Sequence, residues 1–246
     1  MVVDCVIPAR NEEATVADVV EVVRGCRFVR DVIVVDDGSS DATAALAAGA
    51  GARVVSRPPS GPEGSKAHAM EAGVAAAVGA DAVLFVDADL LGITPSHLDE
   101  ICAPVVERRA AMSLGTFDYG LWNPVVLRFP PTTGERIVPR WVFEAIPPSK
   151  RDGYTIEIMI NEVITEARLP TVARVMRGVT HRTKREKFGP LEGWKRTWRM
   201  FWDLWALWGV CRKRTYWFYL RDLTVVHTTF PDAAPAPWRP FRQRPS

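Results

Sequence analysis

Apolar and polar residues along the first half of the chain switch between two periods. Val2–Ile7 is an almost unbroken apolar run, as in a strand buried on both faces. In Glu12–Arg24, Val16, Val19, Val20 and Val23 share one face at helical spacing. The rhythm then repeats: a strand over Asp31–Val35, an alanine-rich helix over Asp41–Ala48 that Gly49 can end, and a short strand over Ala52–Ser56. A loop over 57–64, a helix over Lys66–Val78 and a strand over Ala82–Val86 follow. Strands and helices alternating through short connections predict an α/β fold, a mostly parallel sheet with helices on both faces.

The second half is less regular. Pro95–Arg108 and Tyr154–Ala167 read as helices, the latter with Ile156, Ile160, Val163 and Ile164 on one face. Ala111–Thr116 and Thr171–Met176 read as strands, and 118–133, holding Trp122 and Phe129, as a loop. Leu191–Val210 reads as a long helix, and the Pro- and Arg-rich end from Pro231 as a loose tail.

Composition narrows the class. With 48% hydrophobic residues in 246, the chain can bury a sizeable core. Cys5, Cys26, Cys102 and Cys211 lack the spacing of a disulfide framework or zinc site, and the first residues lack the basic start and apolar stretch of a signal peptide. No stretch reaches eighteen apolar residues. A cytoplasmic protein is expected. The net charge of +2 hides a split. Residues 181–246 hold 14 Lys and Arg against 5 Asp and Glu, whereas residues 1–180 hold 17 against 24. A basic, aromatic end on a weakly acidic body suggests an anionic partner.

The chemistry gathers where the strands end. Ligands of such sheets bind beyond the carboxyl ends of the strands, and three polar clusters fall there: Pro8–Glu12, Asp36–Ser39 and Asp87–Asp89. Asp87 and Asp89, one residue apart at a strand's mouth, call for a cation between them. Hard oxygen ligands suit Mg2+ or Mn2+ carrying a diphosphate. Asp36 and Asp37 either form a turn before a helix capped by Asp41, or accept hydrogen bonds from a base or ribose. Pro8, Ala9, Asn11 and Glu12 are either a helix start or a nucleotide wall. Lys66, at a helix N-terminus after a Gly/Pro-rich loop, is a solvated charge or a phosphate holder.

Three motifs in this order and spacing resemble the nucleotide-binding half of family 2 glycosyltransferases with the Rossmann-like GT-A fold. They are Val6-Ile7-Pro8-Ala9-Arg10-Asn11-Glu12-Glu13, Val34-Val35-Asp36-Asp37-Gly38-Ser39-Ser40-Asp41 and Leu84-Phe85-Val86-Asp87-Ala88-Asp89-Leu90. The resemblance covers about residues 2–118. It implies that Pro8, Ala9, Glu12 and the Asp36/Asp37 pair hold the nucleoside of a nucleotide-diphosphate sugar. It implies Asp87 and Ala88 near the ribose or sugar, and Asp89 on the metal. The second half is similar to two branches: polyprenyl-phosphate sugar transferases of the dolichol-phosphate mannose synthase kind, and, less closely, glucosyl-3-phosphoglycerate synthases. The segments concerned are Thr133–Arg136, Gly153–Ile158 and Gly178–Gly189. The second branch implies His181 as a metal ligand and retention of anomeric configuration; the first implies inversion. Arg136, Arg182, Lys184 and Lys187 are candidates for holding the acceptor's phosphate, and Glu157 for contacting the sugar or the incoming acceptor. Two departures stand out: Ser65-Lys66-Ala67-His68 where relatives have Gly-Lys-Gly-Gly, and Leu91 where polyprenyl enzymes have Gln.

Residues 1–118 are thus expected to form a nucleotide-sugar half and 119–189 an acceptor half of one domain, with 190–246 as a basic extension. In that extension Trp194, Trp198, Phe201, Trp202, Trp205 and Trp208 form one helical stripe flanked by Lys195, Arg196, Arg199 and Arg212–Arg214. Such a helix packs on the body, crosses a homodimer interface, or lies on an anionic membrane, where each base contributes about 1 kcal/mol. No nucleic-acid-binding module is visible. The leading expectation is a metal-dependent enzyme moving a sugar from a nucleotide-diphosphate sugar to polyprenyl phosphate at a membrane surface. A soluble acceptor such as 3-phosphoglycerate comes second, and a non-catalytic nucleotide-binding or membrane-scaffolding protein is the reading from another class. A sugar-phosphate nucleotidyltransferase would carry a Gly-rich Arg-Pro loop where Pro8–Glu12 stands.

Overall fold

The computed structural model describes residues 1–59, 64–123, 133–151, 155–181 and 223–227. The first half keeps the predicted alternation: β1 (Val3–Ala9), α1 (Val16–Arg24), β2 (Val29–Asp36), α2 (Thr43–Gly49), β3 (Arg53–Ser56), α3 (Lys66–Ala76) and β4 (Ala82–Phe85). Then come β5 (Leu90–Leu91), α4 (Pro95–Val106), β6 (Met112–Phe117), β7 (Arg136–Pro139), α5 (Thr155–Glu166), β8 (Thr171–Met176), β9 (Thr180–His181) and β10 (Leu223–His227).

Eight strands form one sheet in the order β10-β8-β6-β7-β4-β1-β2-β3. β7 runs antiparallel to β4 and β6; the other neighbouring pairs are parallel. Both faces are covered. Val3, Cys5 and Ile7 of β1 join a core with Val16, Val20 and Val23 of α1 and Leu98 and Ile101 of α4. Val6 points the other way, into a core with Met70 and Val74 of α3 and Ile156 and Ile160 of α5. Burial on both faces explains why β1 reads as a continuous apolar run. The predicted face of α5 is inside, with Val163 only partly so.

Two strands of the large sheet were not foreseen, nor was the short β5–β9 pair. Only Ile137 and Val138 of β7 are apolar, between Arg136 and Pro139, too short a run to signal a strand. β10 pairs from Leu223↔Thr171 to His227↔Val175, so a segment beyond the basic Trp stripe closes the sheet edge. Two helix starts also moved. α1 begins at Val16 rather than Glu12, because Asn11 takes the left-handed conformation (φ 55°) that asparagine tolerates. Glu12 O then accepts the amides of Thr15 and Val16 in a turn. α2 starts at Thr43; Asp41 is not its N-cap but receives the Thr43 amide at 3.0 Å from two residues before.

Among the described residues no helix is long and apolar enough to cross a membrane. The expected helix at 191–210, with its Trp194–Trp208 stripe, lies outside them, as do Arg182, Lys184 and Lys187.

Candidate functional site

The ends of β1, β2 and β4 meet as the alternation implied. Ala9 pairs with Asp36 in the parallel ladder, Pro8 pairs with Val35, and the Asp37 amide donates to Ala9 O at 3.0 Å. Asn11 crosses to the next loop, where its Oδ1 accepts the Ser40 amide at 2.9 Å. The Glu12 amide donates to Thr43 Oγ1 at 2.8 Å. Polar side chains therefore tie the two loops of this wall together.

Asp36 and Asp37 are both buried, but their tasks differ. Asp37 spends both oxygens on the protein, Oδ1 on Arg57 Nη1 at 2.7 Å and Oδ2 on the Ser65 amide at 2.8 Å. Asp36 accepts the Ser39 amide through Oδ1 at 3.1 Å. Asp37 thereby fixes the start of α3 against the end of β2. Ser65 caps that helix, accepting the His68 amide at 3.4 Å, and so sets the direction of Lys66.

Lys66 is the centre of the site. Its Nζ lies 2.6 Å from Asp87 Oδ1 and 2.7 Å from Glu157 Oε1. Glu157, in the first turn of α5, is buried and faces this centre rather than the surface. Burial alone would lower the Lys66 pKa, but the charges of Asp87 and Glu157 outweigh it and hold the ammonium protonated far above neutral pH. One cation thus joins three elements: α3, the β4–β5 turn and α5.

The Asp87–Asp89 turn is pinned from behind. Thr15 Oγ1 donates to Ala88 O at 2.7 Å, and the Val86 amide donates to Val6 O at 3.2 Å. Asp89 leads into β5, whose Leu90 pairs with His181 of β9. Gly92, at φ +75°, lets this two-stranded pair approach closely: a Cβ there would stand 2.4 Å from Gly178 O. The exposed His181 ring rests on Phe117, with centroids 5.2 Å apart. His181, about ninety residues away in sequence, therefore sits across from the residue that follows Asp89.

Among the described residues no three His, Cys, Asp or Glu side chains converge on a metal-sized space. Magnesium usually takes one or two carboxylates and completes its shell with water and substrate phosphate oxygens. Asp87 and Asp89 share one turn, and His181 lies on the strand paired with Leu90; these are the residues that would hold such an ion together with a diphosphate.

Arg136 has another task than the expected grip on acceptor phosphate. Its side chain is fully buried. Nε and Nη2 donate to Thr133 O at 2.9 and 2.6 Å, and Nη1 to Glu157 O and Asn161 Oδ1, both at 3.0 Å. It binds the 133–135 segment to α5 and so holds Glu157 in place.

The sequence reading passed over Glu135. It is buried beside Asp87 and Lys66, and its Oε2 accepts from Thr133 Oγ1. Burial first, then the charge of Asp87, push its pKa up to about 8. The preceding Gly134 carries Asp87 directly against its backbone: a Cβ would lie 2.3 Å from both carboxylate oxygens. Because the folded protein binds the Glu135 proton more tightly than the unfolded chain, this group's contribution to stability is full below its ordinary 4.5 and is lost as pH rises through about 8. Glu135→Gln is therefore expected to flatten the fall in melting temperature between pH 5 and 8.5. An unchanged slope in thermal scans would contradict the assignment.

The mostly parallel sheet with helices on both faces is a GT-A fold. The model of glycosyl transferase family 2 matches residues 4–165, and the chain belongs to that family. The glucosyl-3-phosphoglycerate synthase of Mycolicibacterium smegmatis is 38% identical over 110 residues, covering 42% of this chain and 36% of that protein. Its Mycobacterium tuberculosis counterpart is 36% identical over 110 residues, covering 42% and 34%. The matches thus span about a third of these relatives' length. A crystal structure of the M. tuberculosis synthase with Mg2+ and uridine diphosphate superposes with a TM-score of 0.61 at 25% identity, over 74% of this chain and 71% of that one. The complex with Mn2+, UDP-glucose and phosphoglyceric acid gives 0.58 at 25% identity, over 74% and 71%.

Proposed function

We propose that this protein is a metal-dependent glycosyltransferase moving a hexose from a nucleotide-diphosphate sugar to a soluble phosphorylated acceptor of the phosphoglycerate kind. The observation that carries this reading is the Lys66 bridge between Asp87 and Glu157 at the mouth of β4. It sets a charged turn for the donor beside a buried acid for the reacting sugar. The relatives that bind UDP-glucose and phosphoglyceric acid reverse the order of acceptors expected from the sequence. Polyprenyl phosphate becomes the second reading, favoured by the Trp194–Trp208 stripe.

Asp36 receives the nucleoside, since Asp37 is committed to Arg57 and Ser65. Pro8 and Ala9 form the wall beside it. Asp89, with Asp87 and His181, would hold Mg2+ or Mn2+, which offsets charge on the leaving diphosphate. Lys66 adds a second positive charge on the diphosphate side. Glu157, held by Lys66, faces the sugar and the incoming hydroxyl. Arg182, Lys184 and Lys187 remain the proposed contacts for the acceptor's phosphate.

The test is product analysis. Protein with Mn2+ or Mg2+ and a panel of nucleotide sugars meets 3-phosphoglycerate in one tube and polyprenyl phosphate in anionic liposomes in another. The expected outcome is a glycosylated phosphoglycerate of retained anomeric configuration by mass spectrometry and NMR. A glycosylated lipid of inverted configuration would move the assignment to the membrane acceptor. Neither product across the panel, with no binding of any nucleotide diphosphate, would favour a non-catalytic protein.

A further inference from the structure

Glu135 carries a feature that the proposed reaction has not used. Its Oε1 is buried and has no hydrogen-bond partner among the described residues. The other oxygen is anchored by Thr133 Oγ1, and the backbone is fixed by the Gly115 amide donating to Glu135 O at 2.8 Å. The carboxyl group is therefore held in one orientation. Lys66, Asp87 and Tyr119 are near enough to couple electrostatically to it. An acid buried with one oxygen unmatched weakens a fold, so its presence beside a reaction centre points to a ligand.

We infer that Glu135 is a sugar-binding residue of this site, its Oε1 hydrogen-bonded to a hydroxyl of the bound sugar. The chemistry of the neighbourhood selects that class of ligand. Asp87, Glu135 and Glu157 lie about Lys66, so a phosphate or carboxylate would meet repulsion next to Oε1. A neutral hydroxyl, which can both donate and accept, pairs with Oε1 without that penalty. A hydroxyl of the bound sugar would give the buried Oε1 the partner it lacks among the described residues. The hydroxyl belongs either to the sugar being transferred or to the acceptor. This inference rests on the proposed glycosyltransferase reading and names a specificity determinant within it.

The experiment separates the two. Calorimetry with Mn2+ measures uridine diphosphate and UDP-glucose binding to wild type, Glu135→Gln and Glu135→Ala. The affinity of 3-phosphoglycerate is measured in the presence of uridine diphosphate. All three proteins are first compared by thermal melting at pH 8, where both variants are expected to be at least as stable as wild type. Uridine diphosphate affinity is expected to stay unchanged. UDP-glucose affinity is expected to fall by about tenfold or more in Glu135→Ala, and less in Glu135→Gln. That places the hydroxyl on the donor sugar; an equal loss for 3-phosphoglycerate alone would place it on the acceptor. No loss for either ligand, with uridine diphosphate still bound, would overturn the inference. If wild type fails to bind uridine diphosphate or any other nucleotide diphosphate, it is the glycosyltransferase reading that fails.

Discussion

Asp89→Ala is expected to lower sugar transfer by about a hundredfold to a thousandfold, the scale seen when one element of charge stabilisation is removed from a reaction centre. The same variant should fold normally. Asp89 is only partly buried and lies on a turn whose position is set by other atoms: Thr15 on Ala88 O, Val6 O on the Val86 amide, and the Leu90–His181 pairing. Its loss should change stability by less than about 1 kcal/mol. The defect should also depend on the metal. Raising Mn2+ should recover part of the activity if Asp87 and His181 still supply ligands, and should recover nothing in Asp89→Ala/His181→Ala. Transfer at the wild-type rate in Asp89→Ala would refute the metal assignment. Activity lost together with the melting transition would leave Asp89→Asn as the variant to measure, and full activity there would refute it as well.

The parts of this site that could be read from the sequence are those whose signal is local. Asp87 and Asp89 were legible because an apolar run ends abruptly in two acids, and a strand buried on both faces puts its end at the ligand edge. Glu157 was legible as an acid in a helix's first turn, but its direction was not. Its partner Lys66 is 91 residues away, and that bridge exists only because α3 and α5 cover the same face of the sheet. His181 gained meaning only through family resemblance, since a two-residue strand such as β9 leaves no periodic trace. Arg136 was misread because an arginine near a phosphate site normally points at it. Here the residue opens a strand, and its guanidinium turns inward to bind carbonyls of Thr133 and Glu157. Glu135 was missed because Glu beside Arg reads as a solvated pair, whereas the turn at Gly134 carries the acid inward instead.

Removing the Lys66 charge is the other change with a large expected effect, on stability as well as rate. Glu157 is buried, and Asp87 is about a third exposed. Lys66→Met would leave the buried Glu157 without its counter-charge. Breaking a buried pair from one side costs about 3–5 kcal/mol, or roughly 6–20 °C of melting temperature for a protein of this size. The sign with pH follows. Without Lys66, a carboxylate charge would be buried unpaired, so the folded form is penalised where carboxylates are charged and the penalty fades as pH falls toward their protonation. The gap between Lys66→Met and wild type should therefore be widest near pH 8 and shrink toward pH 4. Adding Glu157→Gln to Lys66→Met should recover most of the stability at pH 8, because a neutral amide replaces the stranded charge. It should recover none of the transfer activity, because neither the phosphate-side cation nor the acid facing the sugar is restored. A gap that does not vary with pH, or a double variant less stable than Lys66→Met, would show that Lys66 supports the fold through its packed stem rather than through its charge.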